Sequence, residues 1–327
     1  MASENPLISI IIPAYQSAET LGRTLESALQ QGYPEIEIVV QDDGSTDATG
    51  LVAAAAAAHD PRIHYFRQAN QGPAAARNAA VARARGDYLA FLDADDEWLP
   101  GKLQLQADVL RQNASVDLVF TKSLDQHAPN GSSPAFTERK AQTLRQLDLT
   151  ALEGQPAVFA VSHKGLRPAL FSGGVAHLSS IVVRRSIFSR LGGFNPQCRG
   201  TDDVDFCVRA ARVASFAYCA QPLTIHNVGE ANMSRLSDKW CKEIINYLHM
   251  CLASPDYDDL RAAARQALRR QYRFLLFYYG RQQQPRRAWA AFQSSREAGL
   301  DGISALCALG AWLGPWPFKV AGRLLWP

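Results

Sequence analysis

A short acidic motif directly after an apolar run is the feature of this sequence with the clearest chemistry. The five apolar residues 88–92 are followed by Asp93-Ala94-Asp95-Asp96. An apolar run of this length bounded by charges is typical of a strand buried on both faces. Side chains of Asp93 and Asp95 leave the same face of extended backbone. Two such carboxylates form half of a site for Mg²⁺ or Mn²⁺, with phosphate oxygens as further ligands.

The same carboxylates have a structural alternative. Asp95, Asp96 and Glu97 precede Trp98-Leu99-Pro100. Acidic residues in this place can cap a following helix and interact favourably with its dipole. The motif alone leaves both interpretations open.

Alternating strands and helices place this motif at one edge of a sheet. Strands are expected at residues 7–12, 36–40, 63–66 and 88–92, and helices between them, the first capped by Ser17. This alternation predicts a doubly wound α/β fold with a mostly parallel sheet flanked by helices. In such a sheet the loops after the strands meet at the edge where ligands bind.

The loops after the first two strands carry side chains that suit a nucleotide. Tyr15 can stack on a base, and Asp43 can accept a hydrogen bond from a base N–H. Tyr15 is alternatively a packing aromatic, and Asp42 and Asp47 suit turn and N-cap roles. The sequence contains no Gly-x-Gly-x-x-Gly after the first strand and no P-loop motif. This argues against a dinucleotide dehydrogenase and a P-loop NTPase.

Four motifs in order make the chain resemble glycosyltransferase family 2. They are ISIIIPAY at 8–15, VVQDDGSTD at 39–47, NQGPAAARN at 70–78 and FLDADD at 91–96. Each motif is weak by itself, whereas the ordered set is specific. The resemblance implies an inverting enzyme with a GT-A fold.

The resemblance also implies donor-binding residues. It assigns Pro13, Tyr15 and Asp43 to the nucleotide, and identifies Asp93-Ala94-Asp95 as the family's Asp-x-Asp metal motif. Asp95 would be the direct ligand of Mn²⁺ or Mg²⁺, with Asp93 nearer the ribose or nucleotide.

Two residues of the third motif are further candidates. Gly72 would let the backbone approach the ligand. Arg77 would contact donor phosphate, although its helical position equally suits a structural salt bridge.

A second acidic group, Asp202, Asp203 and Asp205, follows Thr201 at the start of a predicted helix. These aspartates suit interaction with the helix dipole. Displacing a nucleoside diphosphate by an acceptor hydroxyl also needs a base near that hydroxyl. In the family, Gly-Gly-Phe and a following Glu-Asp pair mark that base. Here the pair is Asp202-Asp203, which makes Asp203 the base and Asp202 a residue that orients the acceptor or the base.

His226 follows an extended stretch, and a lone histidine is most often structural or exposed. Some GT-A enzymes place a third metal ligand at this position, so His226 is also a candidate ligand.

The C-terminal part is basic and helical in pattern. Residues 255–327 hold eleven Lys and Arg against five Asp and Glu, while the whole chain carries +3. The charge-free segment 302–318 contains Trp312 and Trp316, but is too short and too rich in Gly and Pro to span a membrane. Arginine-rich helices before such a segment suit binding to a bilayer surface. A helical bundle packed on the catalytic domain is the alternative.

These patterns predict two regions. Residues 1–230 form a GT-A catalytic domain, with a donor half at 1–100 and an acceptor half at 101–230, and residues 231–327 form a helical extension. The polar segment 122–150 is expected as an acceptor-binding lid or a disordered surface loop. The six cysteines, with no Cys-x-x-Cys pair, and the absence of signal-peptide features favour a cytoplasmic protein, potentially peripheral on the inner face of the cytoplasmic membrane.

The resemblance implies a metal-dependent transfer of sugar from a nucleoside-diphosphate sugar, UDP being the expected nucleotide. The acceptor would be a hydroxyl of a glycan or lipid-linked glycan. A transferase of the same fold that uses a polyprenyl phosphate acceptor is one alternative. A non-catalytic module that binds a nucleotide-sugar or glycan is another, and it predicts donor binding without turnover. Nucleic acid is not an expected partner.

Overall fold

The computed structural model describes residues 5–127, 142–173, 175–228 and 238–295. The chain divides into two compact units, residues 1–232 and 233–327. The first unit contains every predicted site residue. Its two halves are called the first half, residues 5–100, and the second half, residues 101–228.

The first half alternates strands and helices, as predicted. Its elements are β1 (Ile8–Ala14), α1 (Leu21–Leu29), β2 (Ile36–Asp42), α2 (Thr49–His59), β3 (Ile63–Arg67), α3 (Pro73–Arg83), β4 (Tyr88–Phe91) and β5 (Glu97–Trp98). Strand β1 pairs in parallel with β2 and β4, and β2 pairs in parallel with β3. Strands β2 and β4 are buried along their whole length, which explains their nearly continuous apolar sequence.

The second half extends the same sheet with mixed strand directions. Its elements are α4 (Lys102–Gln112), β6 (Leu118–His127), β7 (Leu149–Ala151), β8 (Val158–Val161), α5 (Leu166–Gly173), β9 (Ile181–Arg184), α6 (Arg185–Leu191), α7 (Asp202–Ala210) and β10 (Phe216–Val228). The strand order is β3-β2-β1-β4-β9-β6-β10-β8-β7, and β5 pairs with β10. Strand β9 runs antiparallel to both β4 and β6. The α/β class is therefore confirmed, whereas the sheet expected to be mostly parallel is parallel in the first half and mixed overall.

One local boundary near the site differs from the prediction. Helix α1 begins at Leu21 after the N-cap residue Thr20, whose side chain makes no capping hydrogen bond. The Ser17 hydroxyl donates to the Tyr15 carbonyl (3.0 Å), and the expected Ser17 cap is wrong. In the second half, His177 lies directly before a short 3₁₀ turn, Leu178–Ser180, which leads into β9. Of the predicted lid, residues 128–141 lie outside the described part of the chain.

Apolar faces spaced for helices are buried, as their sequence periodicity predicted. Leu21, Leu25 and Ala28 of α1 are buried in the main core together with alternate residues of β1 and β2. This packing fixes the direction in which the strands deliver their C-terminal loops.

The second unit is helical over the described residues. It consists of α8 (Asp238–Ala253), a 3₁₀ segment (Pro255–Leu260), α9 (Arg261–Arg281) and α10 (Pro285–Ser294), with α9 packed on both α8 and α10. Within the described ranges, no helix has both the length and the apolar character needed to cross a bilayer. The predicted apolar segment 302–318 lies outside those ranges. The five cysteines within them are all buried.

Candidate active site

Three adjacent parallel strands deliver the predicted donor residues to one edge of the sheet. Ala14 of β1 lies beside Asp42 of β2, and Ile11 of β1 lies beside Phe91 of β4. The residues that directly follow these strands therefore meet at the same edge. Tyr15 is 53% exposed there, which favours a stacking role over the packing alternative. Pro13 is partly exposed near the end of β1.

Asp43 organises the loop that precedes α3. Its Oδ1 accepts hydrogen bonds from the backbone N–H of Gln71 (2.9 Å) and from Gln68 Nε2 (2.8 Å), and its Oδ2 accepts one from the Gly72 N–H (2.7 Å). Gly72 has φ of +92°, a conformation that favours glycine. These contacts connect the loops after β2 and β3, while the expected contact between Asp43 and a base stays a prediction.

The neighbouring aspartates hold turns, as the sequence suggested. Asp42 Oδ1 accepts from the Ser45 N–H (2.8 Å), and Tyr65 donates to Asp42 Oδ2 (3.1 Å). Asp47 lies one residue before the N-cap position of α2, and its Oδ1 accepts a hydrogen bond from the Thr49 N–H (3.0 Å). Neither residue is needed to explain ligand binding.

The acidic motif after β4 is part of a buried network and not a helix cap. Helix α4 begins at Lys102 after Gly101, and residues 97–98 form strand β5. Thr20 donates to the Ala94 carbonyl (2.7 Å). Ser179 donates to Asp96 Oδ2 (2.5 Å) and accepts from the Asp93 N–H (3.1 Å). The capping alternative is therefore wrong.

Three side chains of this region lie close enough to share a cation. Ligand atoms of Asp93, Asp96 and His177 all lie within 4.8 Å of one another. The His177 ring lies 4.2 Å from the ring of His226, whose Nδ1 is 3.0 Å from Asp125 Oδ1. His226 thus lies against this group, and its role as a ligand stays a prediction.

The chemistry of these residues fits a divalent cation. Carboxylates suit Mg²⁺ or Mn²⁺, and imidazole suits several transition metals. Burial, followed by the charge of Asp93, raises the pKa of Asp95 to about 6. Burial, and then Asp93 and Asp95, raise the pKa of Asp96. A cation bound among these carboxylates would offset their repulsion.

Asp96 and His177 are members of this candidate cation cluster that the sequence alone did not single out as ligands. Asp96 was interpreted as part of a cap, although it follows the metal motif directly. His177 belongs to no recognised motif, and only the antiparallel pairing of β9 with β4 brings its turn to Asp93. No local sequence signal identifies it.

Arg77 joins the two acidic groups. Its Nη2 lies 2.5 Å from Asp93 Oδ1, and its Nη1 lies 2.5 Å from Asp202 Oδ2. The salt bridge that the sequence offered as one role of Arg77 is therefore present. Contact with donor phosphate stays a prediction.

The first turn of α7 contains carboxylates with different surroundings. Asp205 pairs with Arg209 (2.7 Å). Burial raises the pKa of Asp202 to about 6 against the opposing effect of Arg77. Asp203 Oδ1 accepts from the Val204 N–H (2.8 Å), and burial raises the pKa of Asp203. Asp205 thus has a structural role, whereas Asp202 and Asp203 interact electrostatically with Arg77 and Asp93.

A turn before α7 is fixed to α3 by Asn78. Its Nδ2 donates to the Phe194 carbonyl (2.8 Å), and its Oδ1 accepts from the Phe194 N–H (2.9 Å). A Cβ on Gly193 would lie 2.6 Å from Asn78 Oδ1, so this close approach requires glycine. Two separate sequence motifs therefore form one structural connection.

A shallow cleft lies between the loop before α3 and the loop before α7. It is lined by Gln71, Gly72, Pro73, Ala74, Pro196, Arg199 and Asp202. A larger, mostly apolar groove is lined by residues of α1 and α2 and contains none of the predicted site residues.

Comparison with known proteins gives one family and one fold. Residues 9–162 match the model of glycosyl transferase family 2. Succinoglycan biosynthesis protein ExoO of Rhizobium meliloti (strain 1021) is 32% identical over 238 residues, which cover 71% of this chain and 63% of ExoO. The chain thus spans only part of the length of this curated relative.

Two solved structures share the fold. The S. aureus TarS structure (1-349), in complex with UDP-GlcNAc, has a TM-score of 0.59 at 18% identity and covers 89% of this chain and 81% of that one. Mannosyltransferase PcManGT from Pyrobaculum calidifontis, in complex with GDP-Man and Mn²⁺, has a TM-score of 0.55 at 19% identity, covering 99% of this chain and 85% of that one. At this identity, the likeness establishes the GT-A architecture alone.

Proposed function

We propose that this chain, whose residues 9–162 match the model of glycosyl transferase family 2, is an inverting, metal-dependent glycosyltransferase. Its donor is a nucleoside-diphosphate sugar, with UDP as the nucleotide. Its acceptor is a hydroxyl of a growing glycan or lipid-linked glycan. The observation that carries this proposal is the meeting of two acidic groups around Arg77, one at the nucleotide edge and one at the start of α7.

The donor is held by the loops after β1, β2 and β4. The exposed ring of Tyr15 stacks on the base, and Asp43 accepts a hydrogen bond from it. Pro13 and Ala94 support these contacts from the strand ends. Gly72 brings backbone close to the donor, because its positive φ turns the loop before α3.

Asp93, Asp96 and His177 lie close enough to share a cation, and the His226 ring lies beside His177. These residues, with Asp95 from the same acidic motif, would hold the cation. Mn²⁺ or Mg²⁺ bound there supplies electrostatic stabilisation of the leaving diphosphate. Burial, followed by the charge of Asp93, raises the pKa of Asp95, and a bound cation would favour the ionised form of this carboxylate.

Asp203 is the base that removes the proton of the acceptor hydroxyl, and Asp202 orients the acceptor or the base. The acceptor oxygen attacks the anomeric carbon from the side opposite the diphosphate, so that the C–O bond to the diphosphate breaks and the configuration inverts. Burial raises the pKa of Asp203 above its usual range. A carboxylate with a raised pKa takes a proton more readily, which suits a general base.

Two findings guide the choice of donor and acceptor. TarS was solved with UDP-GlcNAc, and ExoO is named for succinoglycan biosynthesis. We therefore place this chain in the synthesis of a bacterial surface polysaccharide, with a UDP-sugar as donor.

Helix α10 supports a peripheral membrane location. Arg286 and Arg287 are exposed on it, and Trp289 is 40% exposed. Cationic side chains next to a tryptophan suit the surface of an anionic bilayer. This arrangement would bring the enzyme to a lipid-linked acceptor at the inner face of the cytoplasmic membrane.

A transfer assay tests the proposal. The purified chain is incubated with Mn²⁺, a panel of UDP-, GDP- and dTDP-sugars, and glycan or polyprenyl-linked acceptors. Release of nucleoside diphosphate and the anomeric configuration of the product are measured by mass spectrometry and NMR. Inverted product from a UDP-sugar is expected. Retained configuration would contradict the mechanism, and donor binding without any product would favour a non-catalytic module.

A further inference from the structure

Arg77 is a buried cation between two parts of the chain that are far apart in sequence. Its side chain is 7% exposed, and that of Asp202 is 4% exposed. Asp93 follows β4 of the first half, whereas Asp202 begins α7 of the second half. The Phe194 ring lies 5.6 Å from the guanidinium carbon and covers it on one side.

Stability alone explains this arrangement poorly. Removing a guanidinium from water costs several kcal/mol, and a buried ion pair contributes little net stability relative to apolar packing. A guanidinium does provide a rigid planar fork, with donors in fixed directions. By binding one carboxylate on each terminal nitrogen, Arg77 fixes the separation of the two carboxylates.

We propose that Arg77 is a positioning residue that couples the nucleotide edge to the helix carrying the base. It holds Asp93 and Asp202 at a fixed separation, and thereby sets the first turn of α7, with Asp203, relative to the bound donor. This inference rests on the proposed function. Its consequence is that Asp202, on the acceptor side, influences nucleotide binding through Arg77.

Electrostatics and positioning predict opposite signs for the loss of Asp202. Removing a negative charge near a diphosphate site should strengthen binding of the nucleotide, because repulsion falls. If Asp202 instead holds Arg77 in place, the loss of Asp202 leaves the guanidinium free to move. Asp93 is then no longer held in a fixed position by Arg77, and nucleotide binding weakens. The direction of the change therefore distinguishes the two.

The test is a double-mutant cycle with UDP as the probe. Binding of UDP in the presence of Mn²⁺ is measured by calorimetry for the wild type, Asp202→Ala, Arg77→Met and the double variant. We expect Asp202→Ala to weaken binding roughly 5- to 10-fold in the wild type and less than about 2-fold in the Arg77→Met background. Melting temperatures of all four proteins show whether each is folded.

Asp205 and Arg209 provide the matched control. They form a second ion pair of 2.7 Å on the same helix, with Asp205 fully buried. Asp205→Ala and Arg209→Met should lower the melting temperature and leave UDP affinity unchanged. A purely structural role of Arg77 would make its cycle behave like this control.

Several results would overturn the inference. Tighter or unchanged UDP binding by Asp202→Ala would do so, as would an equal loss in both backgrounds. Weaker binding by Arg77→Met alone, without an effect of Asp202→Ala, would indicate direct contact with the donor. If Arg77→Met does not fold, Arg77→Lys replaces it, because an ammonium keeps the charge but lacks the fork. A wild type that binds no nucleotide would refute the proposed function, and this inference with it.

Discussion

The two halves of the first unit build their parts of the site in different ways. In the first half, Tyr15 and Asp43 directly follow parallel strands and Asp93 lies two residues after β4, so neighbouring loops meet through regular strand pairing. In the second half, His177 lies in a turn before an antiparallel strand, and Asp202 begins a helix that is tied to α3 by Arg77 and Asn78. The first half therefore positions its residues through the pairing of neighbouring strands, and the second half through side-chain contacts between residues that are distant in sequence.

This difference suggests a division of labour. In the proposed mechanism, the first half binds the nucleotide, and the second half supplies the base and part of the cation site. Substitutions of the proposed donor residues in the first half should therefore change affinity, whereas substitution of the proposed base Asp203 should change turnover.

The largest effect is expected from Asp203→Asn. Loss of the base should lower kcat roughly 10²- to 10⁴-fold, because an amide cannot take the acceptor proton. Calorimetry should show UDP affinity within about 2-fold of the wild type, since the donor residues are untouched. Unchanged turnover would remove Asp203 from the mechanism.

Asp43→Ala should have the reverse pattern. Its carboxylate accepts three hydrogen bonds that order the loop before α3, and their loss should weaken UDP binding about 30- to 100-fold, or roughly 2–3 kcal/mol. Turnover at saturating donor should fall much less. The control is Asp60→Ala, which removes a carboxylate that pairs with Arg62. Asp60 precedes β3 and therefore lies at the edge of the sheet opposite to the proposed donor site. A larger effect on kcat than on affinity would contradict the division of labour.

Lys102→Met tests how strongly burial in the second half disfavours the charged form of Lys102. Lys102 is fully buried, its Nζ has no hydrogen-bond partner within the described residues, and it lies 4.1 Å from the Trp98 ring. Burial holds its pKa well below the usual range. Folding therefore releases a proton, and the stability of the wild type rises with pH up to the unfolded pKa.

The variant should gain about 2 kcal/mol in the free energy of unfolding at pH 7, and the gain should shrink as the pH approaches about 10. Urea unfolding at pH 7 and pH 9.5 measures this. Lys122→Met, at an exposed position, serves as the control. An equal gain at both pH values would show that Lys102 is not held neutral.

The smallest expected effect is that of pH on Mn²⁺-dependent UDP binding, through Asp95 of the candidate cation site. Since the pKa of Asp95 is about 6 in the cation-free protein, protons should compete with Mn²⁺ below that pH. Between pH 6 and pH 5, Mn²⁺-dependent UDP binding should weaken up to about tenfold. Titration in Asp95→Asn should lose most of this pH dependence. A pH-independent affinity of the wild type would contradict a ligand role for Asp95.

The sequence was most informative where the structure is local. Periodicity and the four motifs predicted the parallel sheet and the loops that carry Tyr15, Asp43 and Asp93. It failed at Ser17, where a turn delays the helix, and at His177, which only an antiparallel strand brings to the site. The helix-cap interpretation of Asp96 failed because β5 intervenes before α4. A salt bridge of Arg77 was one of two predicted roles, but its partners could not be predicted, since nothing in its own motif specifies Asp202.

The most direct test of the account is the melting temperature of the purified chain with UDP, GDP, dTDP or CDP, each with and without Mn²⁺. A ligand that binds only the folded state adds about 2.7 kcal/mol at a concentration of 100 times its Kd, which corresponds to several degrees for a domain of this size. We predict an increase with UDP that requires Mn²⁺ and disappears in Asp95→Ala. The absence of a shift with every nucleotide, or a shift that does not need the cation, would contradict the proposed donor site.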